Sequence, residues 1–275
     1  MVGAGRLAAS MPRVMGVLNV TPDSFSDGGR WLDADAAVAH GRAMFAEGAG
    51  VVDVGGESTR PGALPVEEAE ELRRVLPVVE ALAAHGRVSI DTRKPAVAAA
   101  ALAAGASIVN DVSASPALAA VAARGRAGYV AMHMRGTPET MQRDPRYDDV
   151  VAEVTAHLTA AARAARAAGV EEVWIDPGLG FGKTAAHNLS LLRHLDVLVA
   201  TGWPVLVGAS RKRFVQVLTG ATSPTDAEEG SLAAAVVAAA AGAGMVRVHD
   251  VAPAVQAMRI LADDIGGAGG NAGAR

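Results

Sequence analysis

Eight short apolar runs punctuate the chain, and each leads into a polar residue. Val14–Leu18 runs into Asn19, Val51–Val54 into the segment GGESTR, Val88–Ile90 into Asp91, and Ser107–Val109 into Asn110 and Asp111. Tyr129–Met132 then runs into His133, Val173–Ile175 into Asp176, Val205–Val207 into Gly208 and Ser210, and Met245–Val248 into His249. Ala-rich helical sequence follows nearly every run. Runs such as VVDVGG and VWIDPG lack in–out alternation, as expected of parallel strands covered on both faces. Eight strand–helix alternations predict an α/β fold of the (β/α)8 type, a TIM barrel. In that architecture the C-terminal ends of the strands converge on one mouth, where chemistry sits. The polar ends of the runs therefore aim Asn, Asp, His, Lys and Arg groups at one pocket. That predicts an enzyme acting on a small polar, anionic molecule.

The candidate helices are Asp35–Glu47, Pro65–Ala84, Pro95–Ala104, Pro116–Ala123, Asp148–Ala168, Asn188–Ala200, Ser210–Leu218, Thr225–Ala241 and Ala254–Ala262. Pro65, Pro95 and Pro116 suit a first helical turn, where the missing N–H costs nothing. Gly220 is a natural stop after the Ser210 helix. One helix exceeds what a simple barrel needs, either Thr225–Ala241 or Ser210–Leu218. Two long loops rich in Gly, Pro, Ser and Asp, Thr21–Trp31 and Gly55–Leu64, follow the first two strands. A third long connection, Arg135–Tyr147, follows the fifth. Loops of this length in compact domains are usually lids or binding loops.

Composition narrows the picture. The 275 residues suit one barrel over 11–264, with flexible ends at 1–10 and 265–275. Half the chain is hydrophobic but only 3% is aromatic, so the core must be built from Ala, Val and Leu. A net charge of −4 gives no reason to expect nucleic acid as a partner. The absence of Cys excludes disulfides and thiolate catalysis and suits a reducing cytoplasm. No apolar run is long enough to cross a membrane, and the first ten residues lack the blocks of a signal peptide. A cytoplasmic enzyme is expected.

Several segments carry candidate chemistry. Asp91, Asn110 and Asp176 end three different strands and can grip a ring edge bearing N–H and C=O groups. Any one of them is as readily a helix cap or a backbone anchor, but three together favour a binding site. DPGLGFGKT (176–184) resembles a phosphate-binding P-loop, yet Pro177 occupies the first glycine position and the segment follows a sixth strand, so a nucleotide triphosphatase is rejected. Its glycines instead let backbone approach a flat ligand, with Phe181 stacking at the rim. SRKRF (210–214) opens a helix whose N-terminus attracts anions. Basic residues there oppose the helix dipole, a local conflict typical of functional sites. In RVHDV, Arg247 and His249 are two apart and share a face. An inward Arg is costly unless it meets an anion. Thr59 and Arg60 of STRPG are placed to close over a phosphate. Asn19 offers an oxygen to a ligand or to Mg2+.

Taken together, MGVLNVTPDSFSDGG, VVDVGGESTRPGA, VSIDT, IVNDV, MHMRGTPETMQ, IDPGLGFGKT, LVGASRKRF and RVHDV resemble the dihydropteroate synthase family of folate biosynthesis, in order from Met15 to Val251. The resemblance implies a transferase that joins 6-hydroxymethyl-7,8-dihydropterin pyrophosphate to p-aminobenzoate, uses Mg2+, is a homodimer and is a sulfonamide target. It implies that Asp91, Asn110, Asp176 and Lys212 hold the pterin, with Asp91, Asp176 and Lys212 as the catalytic set. Asn19, Arg247 and His249 would bind pyrophosphate, with Mg2+ at Asn19. Phe25, Thr59, Arg60, Pro61, Phe181 and Ser210 would form the aminobenzoate pocket. Asp23 or Asp27 would help with Mg2+ or a late proton. Some members carry Ser where this chain has Arg213, so a hydroxyl contact is lost there. Two rivals are a methyltetrahydrofolate methyltransferase domain, which would lack STRPG and SRK, and a catalytically idle pterin-binding paralogue, which would have lost Lys212, Arg247 or the first loop.

Overall fold

A computed structural model describes residues 11–21, 34–60 and 62–262. The expected flexible ends, most of the first long loop with Asp23, Phe25 and Asp27, and Pro61 of the second lie outside the described residues.

The eight strands are β1 (Arg13–Asn19), β2 (Val51–Gly55), β3 (Arg87–Asp91), β4 (Ile108–Asp111), β5 (Gly128–Met132), β6 (Val173–Asp176), β7 (Leu206–Val207) and β8 (Met245–Val248). They pair in parallel in the order β6-β5-β4-β3-β2-β1-β8-β7. A bridge from Ile175 to Val205 joins the two ends and closes the barrel. The expected fold is the one observed. Helices α1 (Ala34–Ala46), α2 (Glu68–Ala83), α3 (Pro95–Ala103), α4 (Pro116–Arg124) and α5 (Val150–Ala167) follow the first five strands. The sixth strand is followed by α6 (Ala185–Arg193) and α7 (Leu195–Val199), the seventh by α8 (Arg213–Thr219) and α9 (Glu228–Ala240), and the eighth by α10 (Val251–Leu261). Both helices considered as the supernumerary one thus lie in the same β7–β8 connection.

Alternation along the strands sorts the lumen into layers. Met15, Val51, Ile108, Val130, Trp174, Leu206 and Met245 form one buried apolar cluster, one residue from each strand except β3. Two residues further along their strands, on the same face, stand Val17, Asp53, Asn110, Met132, Asp176 and Arg247. The barrel is therefore apolar at its base and polar toward its mouth. A second, larger apolar cluster fills the space between strands and helices, rich in Val, Leu and Ala as the scarcity of aromatics requires.

Four element boundaries differ from expectation for visible reasons. Pro65 is not in the first turn of α2, which begins at Glu68, because the Val66 N–H donates to Glu57 Oε2 and the chain approaches extended. The expected Asn188–Ala200 helix starts earlier, at Ala185, under a capping box of Thr184 and His187, and breaks at His194. The last helix begins at Val251, three residues before the expected Ala254. The expected Ser210 helix begins only at Arg213: Arg211 takes a left-handed φ of 57° and Lys212 is extended. Gly220 does end that helix, at φ 75°.

Candidate active site

A cavity of about 840 Å3 opens at the C-terminal mouth. Asn19 and Asp91 reach it from the ends of β1 and β3, Arg247 and His249 from β8 and the turn after it, and Ser210 and Lys212 from the loop after β7. Thr59 and Arg60 come from the loop after β2, and Phe181 from the loop after β6. Asn110 and Asp176 do not line this cavity; both are buried beside it.

One polar network ties these groups together. Arg247 donates from Nε to Asp53 Oδ2 at 2.7 Å and from Nη2 to Asp91 Oδ2 at 2.8 Å. The Asn110 amide donates to the same Asp53 oxygen at 2.8 Å. The inward Arg therefore finds two anions within the barrel wall itself. Burial pushes the Asp91 carboxyl up to about 7; Arg247 opposes this, and the negative charges of Asp53, Glu71 and Asp111 reinforce it. The second oxygen of Asp91 is buried with no partner. Such an oxygen is costly unless a ligand supplies a donor.

Across the mouth, Asp176 Oδ1 accepts from the Gly178 N–H at 2.7 Å, and burial raises its pKa while Lys212 and Arg247 oppose the rise. Lys212 Nζ donates to the Leu179 carbonyl at 2.5 Å and stands 4.7 Å from the centre of the Phe181 ring. Burial lowers its pKa to about 8, against the pull of Asp176. His249 is driven down to about 3, first by burial and then by Arg247, Arg211, Arg60 and Lys212. It is a neutral hydrogen-bonding group at physiological pH, not a cation. Its Nδ1 lies 3.0 Å from Ser210 Oγ, and its backbone N–H donates to the same hydroxyl at 3.2 Å.

The SRK segment corrects one expectation. Ser210 is not a helix N-terminus offered to an anion, because α8 starts three residues later. The clash of basic residues with a helix dipole is also smaller than expected, since Arg211 turns away to Glu228 at 3.0 Å and Asp250 at 2.7 Å. The second loop is anchored from beneath: buried Glu57 pairs with Arg93 and with Lys94 at 2.5 Å, and Lys94 also pairs with buried Glu71. Thr92 Oγ1 donates to Glu71 at 2.6 Å.

Sequence reasoning missed Asp53, Glu57, Gln142 and Lys183. Asp53 carried a readable signal, a carboxylate in the middle of a wholly buried run. Gln142 of the third long loop lines the cavity and donates to the Gly180 carbonyl at 2.8 Å. In the sequence Lys183 shows only as part of a failed P-loop.

Residues 15–249 match the model of a family described as pterin binding enzyme. A dihydropteroate synthase from Mycobacterium leprae (strain TN) is 54% identical over 261 residues, covering 90% of this chain and 92% of that protein. The structure of Xanthomonas albilineans dihydropteroate synthase with 4-aminobenzoic acid matches with a TM-score of 0.86 at 50% identity, over 91% of this chain and 92% of that one. The Yersinia pestis dihydropteroate synthase, solved as a sulfonamide drug complex, matches with a TM-score of 0.86 at 46% identity, over 92% of this chain and 94% of that one.

Proposed function

The chain belongs to the pterin-binding enzymes, among the dihydropteroate synthases, and from that footing we propose how the mouth of its barrel divides the reaction. The enzyme is a transferase that joins 6-hydroxymethyl-7,8-dihydropterin pyrophosphate to p-aminobenzoate. A C–O bond to pyrophosphate breaks, a C–N bond to the aromatic amine forms, and the amine gives up a proton.

Asp91, Asn110, Asp176 and Lys212 hold the pterin. The observation that carries this reading is the buried, unpartnered oxygen of Asp91, set opposite Asp176 across a mouth that also holds Lys212. Two carboxylates match the amino and ring N–H groups of a pterin, while the Asn110 amide and the Lys212 ammonium match its acceptors. Asn19, Arg247 and His249 receive the pyrophosphate. Arg247 commits its Nε–H to Asp53 and one Nη2–H to Asp91, which leaves three N–H donors for an incoming anion. Neutral His249 adds a hydrogen bond. Thr59, Arg60, Phe181 and Ser210, with Pro61 next after Arg60 and Phe25 from the first long loop, form the aminobenzoate side.

The methylene carbon is attached to an electron-rich ring, so the C–O bond breaks early and the cation spreads into the pterin. The protein then has two tasks: stabilising the departing charge and orienting the amine. An aromatic amine is already neutral at pH 7, so no strong general base is needed. Among the described residues no three His, Asp or Glu gather as metal ligands. Asn19, at the end of β1, offers an amide oxygen at the cavity wall, a hard donor that suits Mg2+, an ion that keeps most of its water and pairs with phosphate oxygens. Held there, Mg2+ supplies positive charge to the pyrophosphate.

Sulfonamides compete on the aminobenzoate side, a reading supported by the Yersinia pestis complex. The enzyme works as a cytoplasmic homodimer, in keeping with a chain without cysteine and with exposed Val217, Leu218 and Val237 on α8 and α9. No helix among the described residues is long and apolar enough to cross a membrane. The test is pyrophosphate release from pterin pyrophosphate and Mg2+, with and without p-aminobenzoate. Release that requires p-aminobenzoate and yields dihydropteroate is expected. Pterin binding without such release would replace this reading with an idle pterin-binding paralogue.

A further inference from the structure

The lysine of the failed P-loop has no part in the roles assigned above. Lys183 is only 3% exposed, and its ammonium makes no ion pair among the described residues. Its Nζ donates instead to the carbonyls of Gly178 at 2.9 Å, Phe181 at 3.0 Å and His133 at 3.2 Å, and meets His133 Nδ1 at 3.0 Å. His133 is buried and held neutral, and its Nδ1 accepts from Lys183 in the tautomer that carries the ring proton on Nε2. Burial lowers the Lys183 pKa to about 7 against the pull of Asp176; such a group is expensive to bury, and a chain keeps one where the geometry it enforces is needed.

What it enforces is the loop between β6 and α6. Five successive carbonyls there each meet a side-chain donor. Lys183 takes Gly178 and Phe181, Lys212 takes Leu179, Gln142 takes Gly180 at 2.8 Å, and Tyr147 takes Gly182 at 2.8 Å. Gly178, Gly180 and Gly182 all have left-handed φ, so the loop folds its carbonyls toward these donors in a way other residues resist. A Cβ on Gly178 would stand 1.9 Å from the His133 carbonyl oxygen. Beside the backbone bond from the Phe181 N–H to the Gly178 carbonyl, Lys183 ties both of these carbonyls to the His133 carbonyl at the exit of strand β5.

We propose that Lys183 is a positioning residue, whose ammonium gathers this loop from behind and thereby fixes Phe181 on the aminobenzoate side of the cavity. The proposal rests on the assignment of that cavity as the synthase active site. In a P-loop the lysine reaches out to phosphate; here it folds inward onto its own backbone. Asp176 is held by the pairing of β6 with β5 and leans on the loop only through the Gly178 N–H, whereas the whole backbone of Phe181 belongs to the loop. Loss of Lys183 therefore falls more heavily on p-aminobenzoate than on the pterin substrate.

The test compares wild type with Lys183→Met by amide hydrogen exchange of residues 177–184 and by the KM for each substrate. The expected result is faster exchange confined to that segment, and a KM for p-aminobenzoate raised about tenfold, the scale of one lost aromatic contact, with the pterin KM changed much less. Should Lys183→Met fail to fold, Lys183→Gln, which keeps N–H donors, is measured in its place and shows the same split in reduced form. A folded variant with wild-type exchange in 177–184 and both KM values unchanged overturns the proposal. An inactive wild type with faster loop exchange in the variant would instead fault the synthase assignment and leave the loop role standing.

Discussion

Asp53 is the hub of the polar layer, and two substitutions there separate the worth of its charge from that of its acceptor oxygens. Its Oδ2 accepts from Asn110 Nδ2 at 2.8 Å and from Arg247 Nε at 2.7 Å, while Oδ1 is buried with no partner. Asp53→Asn keeps the shape. The amide oxygen takes the Oδ2 position and still meets both donors, and the NH2 group occupies the place where nothing bonds. One negative charge is lost, but Arg247 keeps Asp91 at 2.8 Å. Asp91 in turn is relieved of a neighbouring carboxylate that helps to hold its pKa up. The relief of Asp91 offsets part of the lost charge, but the buried NH2 finds no acceptor at a cost of about 1–3 kcal/mol, so the expected loss is about 2–3 kcal/mol, less than the roughly 3–5 kcal/mol for stranding one partner of a buried pair. Asp53→Ala removes every acceptor. It strands the Asn110 amide and Arg247 Nε, at about 1–3 kcal/mol for each unmet group, and the expected loss is about 3–5 kcal/mol. Denaturant unfolding measures both, provided the slope stays constant. Equal losses would refute the reasoning, because the acceptor geometry would then contribute nothing. A stabilised Asp53→Asn would show that repulsion between the two carboxylates outweighs their shared attraction to Arg247.

Three further outcomes are expected. Asp176→Asn or Lys212→Ala lowers turnover at least about tenfold, equivalent to roughly 1.4 kcal/mol of barrier, with the unfolding midpoint little changed; wild-type rates in either would remove that residue from the pterin site. Gly178→Ala forces a left-handed φ of 64° on a residue with a side chain, costing about 1–2 kcal/mol before the collision with the His133 carbonyl is counted, and an unchanged thermal midpoint would contradict this. Asp91 has a folded pKa of about 7 against 3.8 unfolded, so the folded state holds the extra proton between those values. Its stabilisation is present in full below about pH 4 and is lost as the pH rises through 7. Relative to Asp91→Asn, the wild type should therefore lose about 1.4 kcal/mol per pH unit between pH 5 and 7. The buried His133 and His249, driven to about 3, tilt the total the other way, and they cancel in the comparison. A difference that stays flat across this range would show Asp91 to be ionised throughout.

The barrel was legible because its signal is local and repeated. A run of β-branched and aliphatic residues ending in Asp, Asn or His states both a buried strand and the end that faces the mouth, and eight repeats leave few other closed arrangements. Asp91, Asn110, Asp176 and Arg247 could be picked out for the same reason, since each sits at a strand end. What the sequence concealed is pairing. Arg247 read as an inward cation in need of a substrate anion, but its partners are Asp53 and Asp91, 194 and 156 residues away. The register that sets Met15 beside both Val51 and Arg247 leaves Asp53 two residues further along β2, within reach of the long Arg247 side chain. Asp53 itself was visible as a charge inside an apolar strand, and alternation along β2 would have pointed it inward with Val51 and Gly55. Lys183 was harder to read. Its letters match a phosphate-binding lysine, and its direction depends on three left-handed glycines that fold the loop back over it. The departure of Pro177 from the P-loop pattern excluded one role for that lysine without indicating another. The missing information was the set of five carbonyls between 178 and 182, which belong to the backbone and leave no mark on the side-chain pattern.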